Sequence, residues 1–188
     1  ELSLVELIVA EIKEPGSICV NAKKVFDIVK ELQDEDVHIR STEQLWIHIT
    51  CGSSELRLPS VEVGLYPQTV LEELPQSMTI SVDDLKHCID MTLFAAITNE
   101  SRRNLMGVCL CSTSDQQTRW LSTDGHRLAQ IIKAVDNLSF GEDQEVIIPR
   151  KALTEVRRAA DLFGETVIIT FDGRVMQFTG GKINFKTR

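Results

Sequence analysis

The sequence has few aromatic residues, no long apolar run and no cysteine pair with the spacing of a metal site. Aromatic residues make up 5% of its 188 residues. No segment approaches the roughly 18 uninterrupted apolar residues of a membrane helix, so no membrane partner is expected. The five cysteines form no C-x-x-C motif, so they are predicted to be reduced thiols in a cytosolic protein. They are Cys19, Cys51, Cys88, Cys109 and Cys111.

Cys109 and Cys111 alternate along a predicted strand, so both side chains should point to one face of a sheet. A metal or redox pair is the competing interpretation of these two residues. Buried reduced thiols are the interpretation that the pattern favours, because cysteine behaves as a small apolar residue in most cores.

Catalytic motifs are also missing. There is no G-x-S-x-G, no H-E-x-x-H and no phosphate-binding G-x-x-x-x-G-K-[ST] motif. Asp124 and His126 could belong to a catalytic or metal site, but the other histidines lie at no ligand spacing from them. The sequence therefore predicts no enzyme, no metal and no cofactor, and a small hydrolase using Asp124 and His126 stays as an alternative.

The two ends of the sequence suggest a piece of a longer protein. The first residues, Glu1 to Leu4, lack an initiator methionine and also lack the basic start of a secretory signal. The last residues, Asn184 to Arg188, stop within a predicted strand. We expect a cytoplasmic protein that is truncated at both ends.

The charge balance is acidic, with 28 acidic and 20 basic residues and a net charge of -8. Such a balance opposes non-specific attraction to nucleic acid unless the basic residues are concentrated on one face. The segments 22–32 and 150–163 concentrate them, and an ordinary solvated helix face is the competing interpretation.

Three segments share one pattern of a short strand, a helix and further strands. The predicted helices run from 22 to about 32 after an Asn21 cap, from 84 to about 97 after an Asp83 cap, and from 150 to about 163. Equivalent positions, Val20, Val82 and Pro149, lie 62 and 67 residues apart. This spacing predicts a repeated unit of one helix plus about four strands, hence an α+β fold with antiparallel sheets and helices on one face.

A weak domain boundary falls between Pro67 and Pro75, two prolines that flank a short acidic linker. We therefore divide the chain into 1–70 and 71–188. The first part contains one predicted repeat and the second contains two.

One turn is unusually informative. The segment Thr123-Asp124-Gly125-His126-Arg127-Leu128-Ala129 joins two short apolar strands through an Asp-Gly step. Glycine accepts a positive φ without steric cost, so this step predicts a β-hairpin.

This turn, with residues 100–108 upstream and 148–153 downstream, resembles the bacterial DNA sliding clamp, the beta subunit of the replicative DNA polymerase III. The resemblance extends over essentially the whole chain. It implies a DNA-clamp fold, with 1–70 as the C-terminal part of clamp domain one and 71–188 as most of domain two. It further implies a processivity factor that works as a homodimeric ring around double-stranded DNA, is loaded by an ATP-driven complex, and acts in the bacterial cytoplasm at the nucleoid.

The resemblance also implies two sets of site residues. Clients such as the polymerase and clamp-loader subunits would insert short linear peptides into a pocket, of which this chain supplies Leu105, Thr123, Gly125, His126, Arg127 and Leu128. Sequence-independent contact with DNA would use Lys23, Lys24, Lys30, Lys86, Arg102, Arg103, Arg150, Lys151, Arg157 and Arg158. A clamp-like binding module that no longer encircles DNA is the remaining alternative.

Overall fold

The computed structural model describes residues 2–32, 36–42, 44–66, 74–98, 105–113, 116–141 and 144–187. Its three α-helices are α1 (Ala22–Val29), α2 (Val82–Thr92) and α3 (Arg150–Ala159). Short 3-10 helices cover Val63–Leu65, Leu93–Ala95 and Ala160–Phe163. The strands are β1 (Leu2–Glu6), β2 (Cys19–Val20), β3 (His38–Thr42), β4 (Trp46–Cys51), β5 (Ser54–Val61), β6 (Gln76–Ser81), β7 (Gly107–Thr113), β8 (Gln117–Thr123), β9 (Leu128–Ala134), β10 (Glu145–Pro149), β11 (Thr166–Phe171), β12 (Met176–Gly180) and β13 (Ile183–Thr187).

The chain forms two compact units, Ala10–Val70 and a larger one made of Glu1–Val9 with Leu71–Arg188. The larger unit contains residues 1–9 because β1 pairs antiparallel with β13, from Leu2 opposite Thr187 to Glu6 opposite Ile183. The structure thus groups these residues differently from the division into 1–70 and 71–188, and the assignment to clamp domains stays a prediction.

The smaller unit consists of α1 and a four-stranded antiparallel sheet in the order β2-β5-β4-β3. The predicted cap of α1 is confirmed, since the Lys24 amide donates to Asn21 Oδ1 at 3.0 Å. The helix ends at Val29 rather than near residue 32, and none of its residues is buried. The buried side chains of this unit, Ile47, Ile49 and Cys51, all come from alternate positions of β4.

The larger unit contains two repeats of one helix and four strands, which confirms the predicted repeat. The first repeat runs from β6 through α2 to β9, and the second from β10 through α3 to β13. The first strand of each repeat pairs within the sheet of the other, because β6 lies beside β11 and β10 lies beside β7. The sheets therefore have the orders β1-β13-β12-β11-β6 and β10-β7-β8-β9.

Helix α2 begins earlier and ends earlier than the sequence predicted. Its cap is Ser81 rather than Asp83, because Ser81 Oγ accepts the Asp84 amide at 3.0 Å and also donates to the Asp84 carboxylate. Aspartates at 83 and 84 instead occupy the first turn, where a negative charge suits the helix dipole. The helix ends at Thr92 rather than near residue 97, and a short 3-10 helix follows.

One core joins both repeats of the larger unit. The apolar faces of α2 and α3 are buried in it, with Leu85, Leu153 and Val156 all at 0% exposure. Trp120, on β8, is also fully buried, and its indole N–H donates to Thr118 Oγ1 at 3.1 Å. The indole is therefore both packed and hydrogen-bonded.

We predict that Leu85→Ala lowers the free energy of unfolding of the larger unit by about 2–5 kcal/mol, because the truncated side chain leaves a cavity in a close-packed core. Met91→Ala is the matched control, since Met91 lies on the same helix but is 49% exposed. Urea unfolding should be followed by Trp120 fluorescence in a Trp46→Phe background. A smaller loss of unfolding free energy in Leu85→Ala than in Met91→Ala would contradict the buried position of Leu85.

Candidate functional site

The turn after β8 is held by side chains that accept backbone N–H groups. Thr123 Oγ1 accepts the Gly125 amide at 3.0 Å and donates to the Arg127 carbonyl at 2.7 Å. Asp124 Oδ1 accepts the amides of His126 and Arg127, each at 3.0 Å. Gly125 has φ 91°, a value that residues with a Cβ rarely adopt. The predicted hairpin is therefore confirmed, with β8 and β9 pairing from Thr123 opposite Leu128 onward.

Asp124 is the residue that holds this turn closed. Hydrogen bonds from the amides of His126 and Arg127, and then from the Arg127 guanidinium, lower the pKa of the Asp124 carboxyl below its usual value. Asp124 is not among the residues predicted for the client pocket, although the sequence places it in this turn. An Asp that precedes Gly and accepts amides two and three residues ahead is a recognisable turn signal.

Arg127 is fixed in position although its side chain is 59% exposed. Its Nε donates to Asp124 Oδ2 at 3.0 Å, and its Nη2 donates to the carbonyl of Phe94 at 3.0 Å. The guanidinium carbon also lies 5.4 Å from the centre of the Phe94 ring, within the range of a cation–π contact. The predicted site residue is thus oriented by a residue 33 positions earlier, which the sequence analysis did not find.

The predicted site residues meet at one end of the four-stranded sheet β10-β7-β8-β9. Leu105 lies just before β7, Thr123 ends β8 and Leu128 begins β9. Because Cys109 pairs with Leu121 in antiparallel register, the start of β7 lies beside the end of β8. The Leu105 carbonyl accepts the Ile97 amide at 2.9 Å, which ties this end of the sheet to the segment after α2.

Two apolar side chains are exposed near Arg127: Leu128 follows it in sequence and is 64% exposed, and Phe94, whose ring contacts its guanidinium, is 53% exposed. Leu105 is half-buried and His126 is exposed. Exposed apolar side chains beside a fixed guanidinium can accept an aliphatic or aromatic side chain and hold a backbone carbonyl of the same ligand.

The predicted DNA-facing residues differ in how much positive charge they leave free. Exposed Lys23 and Lys24 on α1 and Lys151 on α3 make no ion pair within the described ranges. Lys30 lies 3.6 Å from Asp27 and 3.9 Å from Glu31, so acidic neighbours offset its charge.

In the larger unit, one ion pair joins α2 to α3 and a second joins α2 to the 3-10 helix 160–163. Arg157 binds both carboxylate oxygens of Asp90 at 2.9 Å, and Lys86 bonds to Asp161. The contact with Lys86 lowers the pKa of the Asp161 carboxyl, and the contact with Asp90 raises the pKa of Arg157. Both pairs are solvent-exposed, so their contribution to stability is small. Their main effect is to fix the positions of four charges on α2, on α3 and on the 3-10 helix after α3.

Other basic residues have separate surroundings. Arg158 bonds to Glu155 of its own helix at 2.9 Å. Arg150 is part-buried, and its Nη1 donates to the carbonyls of Leu93 at 2.6 Å and Ala96 at 3.2 Å. The Leu93 carbonyl also accepts the Ala96 amide at 3.2 Å, so Arg150 ties the start of α3 to the 3-10 helix 93–95 and to the residue that follows it. Arg150 thus has an internal contact, and its contact with DNA stays a prediction. Arg102 and Arg103 lie outside the described residues.

The alternative catalytic pair finds no support in the described part of the chain. The Asp124 carboxylate is occupied by the two amides of the turn and by the Arg127 guanidinium, and His126 reaches it through its backbone amide rather than its imidazole. No group of three metal-ligating side chains found among the described residues contains His126. None of the helices in the described part of the chain has the length and apolar character needed to span a membrane.

Comparisons with known proteins assign this geometry to a class. Residues 79–188 match the central domain of the DNA polymerase III beta subunit, and residues 1–71 match the N-terminal domain of that subunit. A beta sliding clamp of Staphylococcus epidermidis is 33% identical over 180 residues, which are 96% of this chain and 47% of that protein. A clamp of Staphylococcus aureus is 32% identical over the same shares.

Solved structures agree with the sequence matches. The DNA polymerase III subunit beta of Pseudomonas aeruginosa has a TM-score of 0.89 at 30% identity, covering 100% of this chain and 51% of that one. A beta sliding clamp of Caulobacter crescentus has a TM-score of 0.92 at 28% identity, with the same shares. The fold is therefore the DNA-clamp fold predicted from the sequence.

The chain belongs to the family of DNA polymerase III beta subunits, the bacterial sliding clamps. It spans about half the length of the relatives that it matches.

We predict that the turn 123–128 stays ordered down to about pH 4 and loosens only at lower pH. A carboxyl whose folded pKa is lowered stabilises the fold above its unfolded pKa of about 3.9, and this contribution is lost as the pH falls through the folded pKa. The measurement is an NMR titration of the Asp124 carboxyl carbon together with the amides of His126 and Arg127.

Asp124→Asn is the control for this titration, because it keeps an acceptor oxygen but cannot ionise. The amide shifts of the variant should not change over the acidic range in which Asp124 titrates. A titration midpoint at or above about 3.9 in the unchanged chain would contradict the role assigned to Asp124.

Proposed function

We propose that this chain is part of a ring-shaped sliding clamp that encircles double-stranded DNA and tethers the replicative polymerase and other clients to it. The protein has no chemistry of its own, and the ring acts as a processivity factor. The family match over residues 1–71 and 79–188, together with the exposed apolar surface beside Arg127, is the observation that carries this proposal.

The proposed contact with DNA is weak and independent of sequence. Diffuse lysine side chains attract phosphates without reading bases, which lets a ring slide. Lys23, Lys24 and Lys151 suit this role because each is exposed and free of an ion pair in the described ranges. Lys30, Lys86, Arg157 and Arg158 would contribute beside their acidic partners, and Arg102 and Arg103 remain in the proposal on sequence alone. Arg150 would contribute less, because Nη1 of its guanidinium donates to two backbone carbonyls.

The proposed partners follow from the family and from the turn. Clients, among them the polymerase and clamp-loader subunits, would dock short linear peptides on Leu105, Thr123, Gly125, His126, Arg127 and Leu128. A Pseudomonas aeruginosa clamp solved with griselimycin bound is a relative with a ligand in place. The full-length protein would act as a homodimer in the bacterial cytoplasm, associated with the nucleoid.

The first test loads the full-length protein onto nicked circular DNA with its own loader complex and then cuts the circle. We expect retention on circles and release from the linear product, because a ring leaves DNA only at an end. Retention should persist at salt concentrations that abolish phosphate contacts, since each neutralised phosphate makes ordinary DNA binding steeply salt-dependent. Equal retention on circular and linear DNA would show non-topological binding, and loss from both would leave a binding module without a ring.

We also predict that Leu128→Ala weakens binding of a client-type peptide by about tenfold or more, because burying one leucine side chain stabilises a complex by about 1.5–3 kcal/mol. This chain should bind more weakly than the full-length protein, because the family pocket takes its other half from a third domain. NMR shift changes of the 123–128 amides can detect such weak binding.

Ile168→Ala is the matched control for the peptide experiment. Ile168 lies on β11 of the other sheet and is 47% exposed, so its truncation alters a comparable surface elsewhere. Equal losses for the two variants, or full-length affinity from this chain, would contradict the proposed pocket.

A further inference from the structure

Three ligand-bearing side chains converge on one face of the sheet β10-β7-β8-β9, and neither the turn nor the basic helices use them. Cys109 and Cys111 alternate on β7, so both leave the same face of the sheet, as predicted. Glu145, the first residue of β10, is the register partner of Cys111. The pattern along the chain does not connect Glu145 to the cysteines, because only strand pairing brings it there across 33 intervening residues.

The distances suit a metal ion. The two sulfur atoms lie 3.5 Å apart, and one ligand atom from each of the three residues lies within 4.8 Å of the others. Two sulfurs bound to one tetrahedral zinc at about 2.3 Å are separated by about 3.8 Å. Side-chain movements of a few tenths of an ångström would therefore bring the two sulfurs to the spacing of zinc ligands.

We propose that Cys109 Sγ, Cys111 Sγ and a carboxylate oxygen of Glu145 form a binding site for a thiophilic divalent cation, with Zn²⁺ as the preferred ion. Three protein ligands leave the fourth tetrahedral position to water or to a ligand from another molecule. Thiolate sulfur selects zinc over magnesium and calcium, which prefer oxygen ligands.

The charges around the site balance when it is occupied. Two thiolates and one carboxylate carry three negative charges, and Zn²⁺ supplies two positive ones. Arg119 on β8 supplies the third positive charge. It is the register partner of Cys111, so its side chain lies on the same face of the sheet. Its Nε is buried without a hydrogen-bond partner among the described residues, so a charged neighbour would compensate for its desolvation.

Zinc binds cysteine as the thiolate, so binding replaces each S–H bond with a zinc–sulfur bond and releases the proton to solvent. Burial, and then the hydrogen bond with Cys111, raises the pKa of Cys109 to about 12. No oxidation is involved.

A disulfide between the two cysteines is the less favourable use of this geometry. Residues two apart on an extended strand have Cα atoms about 6.6 Å apart. This is close to the upper limit for a disulfide, so bridging them would strain β7. Both cysteines are free in the structure.

The test titrates the tag-free, reduced and metal-free chain with Co²⁺ and then displaces the cobalt with Zn²⁺. We expect one equivalent of cobalt with tetrahedral visible bands and a thiolate charge-transfer band, lost on addition of zinc. Cys109→Ser and Cys111→Ser should abolish the charge-transfer band or reduce it strongly. Glu145→Gln, at an exposed position, should weaken cobalt binding about tenfold or more.

Cys19→Ser is the matched control, because it removes a half-buried strand cysteine of the smaller unit. It should leave the cobalt spectrum and affinity unchanged. The metal-free melting temperatures of all variants should match that of the unchanged chain, and zinc should raise the melting temperature only where the site is intact.

Several results would overturn the proposal. One is the absence of a charge-transfer band at one equivalent of cobalt. Another is a spectrum that survives Cys111→Ser, and a third is equal affinity with and without the Glu145 carboxylate. Rapid formation of a Cys109–Cys111 disulfide in air, with no protection by zinc, would assign the pair to redox chemistry instead.

Discussion

The exchange of strands between the two repeats is the constraint on which the larger unit depends. Because β6 completes the sheet of the second repeat and β10 completes that of the first, neither sheet forms alone. The helices follow directly from these exchanged strands, so α2 and α3 are brought to the same core. Arg150 strengthens the arrangement, since the residue that begins α3 donates to the carbonyls of Leu93 and Ala96, in the short segment that follows α2.

This constraint also positions the turn after β8. The 3-10 helix 93–95 lies at the end of α2, where the Ser122 hydroxyl donates to the Thr92 carbonyl and Arg127 reaches Phe94. The exposed surface at Leu128 is therefore attached to the core through short, fixed contacts rather than carried on a free loop. A rigid surface loses little conformational entropy when a peptide docks on it.

The acidic composition is compatible with the proposed contact with DNA, because attraction to phosphate depends on where the unpaired basic side chains lie and not only on the net charge. Arg157, Lys86 and Arg158 each have an acidic partner, which reduces the positive charge that they project. Lys23, Lys24 and Lys151 keep theirs. A lining of a few free lysines among paired charges attracts phosphate weakly, as sliding requires.

The sequence by itself determined the repeat, the cap at Asn21 and the hairpin at Asp124-Gly125, because each can be recognised from residues close together along the chain. Only the structure decided that Ser81 caps α2, that Arg150 binds the carbonyls of Leu93 and Ala96, that Phe94 orients Arg127 and that Glu145 lies beside Cys111. The Ser81 cap is local, but two neighbouring residues could each have formed it, whereas the other three contacts join residues tens of positions apart and depend on how strands and helix ends meet. Pattern along the chain encodes which face a residue occupies, whereas the partner on that face is set by strand register and packing.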